Sequence, residues 1–181
     1  MKKGKGEFKM KKVYWGFAAL FIILASASFA AGRFEFTAYG GPAVSNLEPS
    51  NTKASYGFSA LIKFPTLKAS ALGIEVERYY CQTSTGAVVG ISDVGAVIKL
   101  NINKKLPSIR FSAGNSTILS DGSFVVGSNT IAANIAQTGL YLAAAAEIPL
   151  YNNFVVLPKY TSILVKGEQI SKASLNVGYK F

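Results

Sequence analysis

The last eleven residues, Ser171 to Phe181, constrain the chain most. Ala173, Leu175, Val177, Tyr179 and Phe181 hold every second position, with Ser174, Asn176, Gly178 and Lys180 between them. A period of two is a β-strand with one apolar and one polar face. The strand reaches the final residue, and that residue is a bare aromatic ring. Such a ring belongs at a lipid–water boundary, and an amphipathic strand of this kind needs partners along its edges.

The same period recurs from Arg33 onward, which predicts eight strands. Strand one is Arg33–Gly40, with Phe34, Phe36 and Ala38 opposite Glu35, Thr37 and Tyr39. Strand two is Ala54–Phe64, where Tyr56, Phe58, Ala60, Ile62 and Phe64 alternate with Ser55, Gly57, Ser59, Leu61 and Lys63. Strand three, Ala69–Tyr80, sets Leu72, Ile74 and Val76 against Gly73, Glu75 and Glu77. Strand four, about Ile91–Ile102, sets Val94, Ala96, Ile98 and Leu100 against Asp93, Gly95, Lys99 and Asn101. Strand five, Ser108–Thr117, and strand six, Thr138–Pro149, repeat the pattern around Arg110 and Glu147. Strand seven, Phe154–Leu164, is fairly apolar on both faces, and strand eight closes the chain.

The connections are expected to alternate in length. Pro65–Lys68, Asn103–Pro107 and Tyr151–Asn153 are short turns, whereas Gly41–Lys53, Gln82–Gly90, Ile118–Gln137 and Val165–Gln169 read as longer or variable loops. Transmembrane barrels have this asymmetry, with short periplasmic turns and longer extracellular loops. Strands of this length also match the roughly 9–11 residues that cross a bilayer when tilted.

Residues 1–30 read as a targeting segment. Lys2, Lys3, Lys5, Lys9, Lys11 and Lys12 form a basic start, Val13–Leu24 an apolar stretch, and cleavage is expected after Ala30. The alternative is an N-terminal membrane anchor, and Met10 is an alternative initiator. This leaves residues 31–181 as one domain. The segment carries six of the 19 Lys and Arg and one of the nine Asp and Glu, so half of the net +10 belongs to it. The remaining charges are scattered singly, with no basic cluster beyond Lys104-Lys105, which argues against nucleic acid as a partner. Cys81 has no second cysteine to pair with.

A soluble, lipocalin-like barrel also alternates, with its apolar face inside. Three features favour the inverse arrangement. The polar face is rich in Gly, Ser and Ala, as a narrow barrel interior requires. Its charges are few and mixed. Aromatic residues gather near strand ends (Phe34, Tyr56, Phe64, Tyr80, Phe154, Tyr160, Tyr179, Phe181), as interface girdles do. The interior is then expected to hold Glu35, Glu75, Glu77 and Glu147 with Lys63, Lys99, Arg110, Lys159 and Lys180. Lys159 is assigned inward because an outward Lys near the midplane costs about 2–4 kcal/mol. Four acids against five bases point to a paired network, since isolated buried charge is expensive. Such a network is either structural packing or the lining of an ion path.

From the apolar start to Leu175, Val177, Tyr179 and Phe181 at its end, the chain resembles small bacterial outer-membrane β-barrels of the outer-membrane protein X and protein A barrel-domain type. The resemblance implies an all-β fold, an eight-stranded antiparallel up-and-down barrel in the outer membrane of a double-enveloped bacterium. It also implies both mature termini in the periplasm, contact with lipopolysaccharide, and a terminal strand read by the barrel-insertion machinery. Enzymes of similar architecture use a histidine base, and this sequence contains no His, so no catalytic role, cofactor or metal is expected. Three functions stay open: a structural or surface-binding protein acting through its longer loops, a narrow porin-like pathway for ions or small hydrophobic molecules resembling outer-membrane protein W, and a secreted soluble ligand-binding barrel. A dry, plugged lumen would remove the transport reading.

Overall fold

The computed structural model describes residues 34–64, 70–101 and 106–181, the side chains of 48–52 apart. Residues 1–33, and with them the expected targeting segment, lie outside the described residues, as do the expected turn Pro65–Lys68 and part of the expected turn Asn103–Pro107. Eight long strands form a closed antiparallel barrel: β1 (Phe34–Ser45), β2 (Glu48–Lys63), β3 (Ser70–Gln82), β4 (Val88–Leu100), β5 (Ser108–Ser120), β8 (Gln137–Pro149), β9 (Phe154–Val165) and β10 (Glu168–Lys180). Two short strands, β6 (Phe124–Val126) and β7 (Asn129–Ile131), form a hairpin between β5 and β8.

The barrel closes where its first and last long strands meet. β1 and β10 pair antiparallel from Thr37↔Lys180 to Ser45↔Lys172, which satisfies the backbone edges that either strand would otherwise leave open. The backbone N–H of Phe181 donates to the Phe36 carbonyl at 2.9 Å. An aromatic row, Phe58–Phe36–Phe181–Tyr179–Phe154, runs round this end with successive ring centroids 5.0–5.8 Å apart.

The two faces of the wall are sorted as an inverted barrel. Leu142 is 67% exposed and Val94 54%, while Glu77, Arg110 and Glu147 are 1% exposed. A soluble barrel with an apolar heart has the opposite arrangement, so the lipocalin-like alternative is corrected. The physical reason lies in the alternation itself. One face of β3, β4 and β8 carries only apolar groups along Leu72–Val76, Val94–Leu100 and Leu140–Ile148, and the other carries the ions.

The connections differ from expectation at the end opposite the termini. Gly41–Lys53 is not a loop: β1 and β2 run through it and turn at Asn46-Leu47. Val165–Gln169 contracts to Lys166-Gly167, which sit at φ 50° and φ 82°. Two successive positive φ values make the tight turn whose twist suits a β-hairpin, and Gly enters that region without steric cost. Gln82–Gly90 shrinks to Thr83–Ala87, held by Thr83 N–H to the Ala87 carbonyl at 2.9 Å. Only the fifth connection stays long, and it carries the β6–β7 hairpin.

Candidate functional site

Inside the barrel, period two brings charged side chains from β1, β2, β3, β4, β5, β8, β9 and β10 onto one axis. They form an alternating ladder. At the end near the termini, Glu35 meets Lys63 at 3.5 Å and Lys99 at 2.6 Å. Lys99 also reaches Glu147 at 2.6 Å, and Arg110 reaches Glu147 at 3.3 Å and Glu75 at 3.7 Å. Lys159 bridges Glu75 and Glu77, the latter at 2.6 Å. Lys172 then joins Glu77 at 2.8 Å to Asp93 at 3.1 Å. Lys180 branches from the bottom rung onto Glu147 and, at 4.0 Å, Glu35.

Neutral groups complete the ladder. The Ser59 hydroxyl lies 2.5 Å from an Arg110 terminal nitrogen, Ser55 donates to Glu77 at 2.6 Å, and Ser116 donates to Asp93. Lys159 lies 5.9 Å from the centre of the Tyr39 ring and Lys172 5.4 Å from that of Tyr79, within cation–π range. Gly57 and Gly95 make room for two interior tyrosines, Tyr39 and Tyr141. A Cβ on Gly57 would lie 2.8 Å from the Tyr39 hydroxyl, and one on Gly95 would lie 2.5 Å from that of Tyr141.

All nine expected charges meet in this ladder, and Lys63, though on the inward face of β2, stands at its open end rather than buried. Its side chain is 50% exposed at the mouth, and that of Lys180 is 25% exposed. Two members were missing from the expected set, Asp93 and Lys172. Asp93 stands on the polar face of β4, and Lys172 lies two residues before Ser174 on the polar face of β10, so the same alternation marks both. With them, five buried acids stand against four buried cations, and a cation at the mouth makes up the fifth. Glu35, Glu75, Glu77, Asp93 and Glu147 face Lys99, Arg110, Lys159 and Lys172, with Lys180 at the mouth as the fifth cation.

Beyond Lys172 and Asp93 the interior changes character. Tyr79, Val89, Ile91, Ile118, Ile163 and Ile170 are each 0% exposed and form one apolar cluster with Cys81 and Val165. The β6–β7 hairpin belongs to it. Phe124, Val126 and Ile131 point into the same cluster at 1–4% exposure, while Val125 between them is 62% exposed. The hairpin therefore caps the barrel. Its tip is fastened to the start of β10: the Glu168 carboxylate accepts from Ser128 N–H at 3.0 Å, Ser128 Oγ at 2.7 Å and Asn129 Nδ2 at 3.3 Å. These donors hold the Glu168 carboxyl below its ordinary pKa. A water-wide passage would leave its lining accessible, and this lining is not.

Leu175, Val177, Tyr179 and Phe181 all lie on the outer face, at 53%, 52%, 37% and 72% exposure.

No known protein family matches the sequence, and no curated protein matches it significantly. Solved structures are similar in shape. The attachment invasion locus protein Ail of Yersinia pestis superposes with a TM-score of 0.55 at 14% identity, covering 82% of this chain and 97% of that one. Ail in a phospholipid bilayer nanodisc gives 0.56 at 15% identity, covering 81% and 99%. Neisserial surface protein A gives 0.51 at 17% identity, covering 82% and 97%. Likeness of shape with so little shared sequence is likeness of fold, and the fold is that of the small outer-membrane eight-stranded β-barrels.

Proposed function

We propose that this protein resides in the outer membrane as a non-enzymatic, non-conducting barrel that carries a rigid cap on the cell surface. The observation that carries the proposal is the filled lumen: an ion ladder below, an apolar cluster above, and the β6–β7 hairpin over both. The apolar outer wall supports membrane residence, because a belt of exposed Leu, Val, Ile and Phe belongs in hydrocarbon. The termini then face the periplasm. The long fifth connection stands at the other end, as extracellular loops do.

Surface contact on this reading falls to the cap. The first, third and seventh connections are tight turns, whereas Asp121–Ala136 presents Val125 and Ile135 at 62% and 54% exposure. The outward row Leu175, Val177, Tyr179 and Phe181 serves as the feature that the insertion machinery reads. The buried ions serve as structural fill rather than as a path.

Conductance of refolded protein in a planar bilayer tests the proposal. A silent membrane is expected at protein levels where an open porin gives discrete steps. Discrete steps that vanish when the protein is omitted would refute the non-conducting reading and restore the porin-like one.

A further inference from the structure

Among the described residues, the outer wall carries almost no charge. Among the described side chains on the outward faces of the eight wall strands, Arg78 on β3 is the only charged one. The ion pairs among the described residues all join inward-facing side chains, and none includes Arg78. Its guanidinium carbon lies 5.0 Å from the centre of the Tyr80 ring, a cation–π contact that orients the group without neutralising it.

The register places Arg78 in a lateral row of polar side chains. It pairs across the sheet with Ser92, and Ser92 pairs with Thr117. Directly paired residues on one face stand about 5 Å apart, so two hydroxyl side chains follow the cation in a lateral row. Tyr56 flanks Arg78 on the other side, and Thr138 continues the row beyond Thr117. Towards the termini, β3 and β4 present Ile74, Val76 and Val94 to the outside. Away from them lies a groove between Tyr80, Val88 and Leu119. Asp121 stands at its far end, where its carboxylate accepts from Val88 N–H at 2.7 Å. Four residues of strand, about 13 Å, separate the Val88 and Ser92 positions, so this acid does not reach the guanidinium. With the membrane residence proposed above, this row of one cation and several hydroxyls falls at headgroup level.

We propose that Arg78, Ser92 and Thr117 form a binding site for the phosphate headgroup of an outer-leaflet lipid, whose chains lie over Val76 and Val94. The inference rests on the membrane residence proposed above. Charge complementarity selects the occupant. A planar guanidinium gives a phosphate two parallel hydrogen bonds, the two hydroxyls are further donors, and the apolar wall below accepts acyl chains but not a free anion.

The test uses the refolded full chain in nanodiscs of phosphatidylcholine with and without phosphatidic acid. Lipid retained on release is read by native mass spectrometry. Wild type should retain phosphatidic acid in preference to phosphatidylcholine. Arg78→Gln should lower that retention about fivefold, the weight of about one cation–headgroup contact near a membrane surface. Arg78→Lys should fall between the two, because it keeps the charge and loses the fork. Ser92→Ala with Thr117→Val should weaken retention while leaving the charge in place, and this pair reads the site even if Arg78→Gln does not fold. Equal retention by wild type and Arg78→Gln would overturn the site. So would displacement of phosphatidic acid by inorganic phosphate, which would mark a free-anion site instead. Failure of the wild type to enter phosphatidylcholine nanodiscs would defeat membrane residence and the site together, whereas entry with unselective retention would defeat the site alone.

Discussion

Replacing Glu77 with Gln removes one negative charge from the middle of the ladder and keeps the shape of the side chain. Glu77 receives Lys159 at 2.6 Å and Lys172 at 2.8 Å, and is itself 1% exposed. Two charge-assisted hydrogen bonds are worth about 1.5–3 kcal/mol each, and breaking one side of a buried pair costs about 3–5 kcal/mol. Each lysine keeps one carboxylate, Glu75 for Lys159 and Asp93 for Lys172, which points to the lower part of that range, about 3–4 kcal/mol. Urea unfolding in lipid vesicles, followed by the shift between folded and unfolded bands on cold gels, measures it. At a slope of about 2 kcal/mol per molar urea, the midpoint falls by roughly 2 M. The double variant Glu77→Gln, Lys172→Met restores the balance of charge, so its loss should be smaller than the sum of the two single losses. A Glu77→Gln midpoint within about 0.5 M of wild type, or strict additivity in the double variant, would refute the reasoning that these ions are buried and mutually compensated.

The remaining predictions concern space, burial and the cap. Gly95→Ala sets a Cβ 2.2 Å from the Ala113 carbonyl oxygen and 2.5 Å from the Tyr141 hydroxyl, and overpacking of this kind costs about 1–3 kcal/mol in the same urea assay. Cys81, 2% exposed within the apolar cluster, should resist a water-soluble maleimide in the folded barrel and react once the barrel is unfolded; rapid labelling of the folded form would contradict a sealed upper lumen. The Glu168 carboxyl is held below its ordinary pKa by Ser128 and Asn129. A depressed folded-state pKa means that its contribution is present above the ordinary carboxylate range and is lost as pH falls through the lowered value. The Ser128 amide resonance should therefore stay constant through the ordinary carboxylate range and shift only below it, and Glu168→Ala should expose Asp121–Ala136 to protease at neutral pH. An amide shift centred on the ordinary carboxylate pKa would contradict the latch.

The wall was legible because a period of two assigns every side chain of a strand to one face once any residue is placed. Ser59, Glu75, Lys99, Arg110 and Glu147 all follow the expected parity. Lys159 followed from cost rather than pattern, since β9 is apolar on both faces in sequence and only the price of a lipid-facing ammonium assigns it inward. Lys172 and Asp93 obey the same alternation and were within reach of it. The upper end was less legible for a physical reason. There the interior is filled by Val89, Ile91, Ile118 and Val165, so apolar residues stop marking the outside and the contrast between faces weakens. Gly41, Pro42 and Ser45 read as breakers, yet they extend β1. Neighbouring register Gly40↔Val177 and Ala43↔Ser174 carries the strand past them. The hairpin left a faint mark: Phe124, Val126 and Ile131 on either side of Gly127-Ser128, too short a run to separate from a loop by periodicity.

The orientation of the two faces underlies the ladder, the cap and the headgroup site alike, and a spin label reads it directly. Leu142→Cys in a Cys81→Ser background places the label at a position that is 67% exposed in the middle of the apolar belt. In phospholipid vesicles the label should relax with dissolved oxygen, which concentrates in hydrocarbon, and not with a water-soluble nickel chelate. Strong relaxation by the nickel chelate in the folded barrel would mean that Leu142 faces water, and the inverted barrel would be wrong.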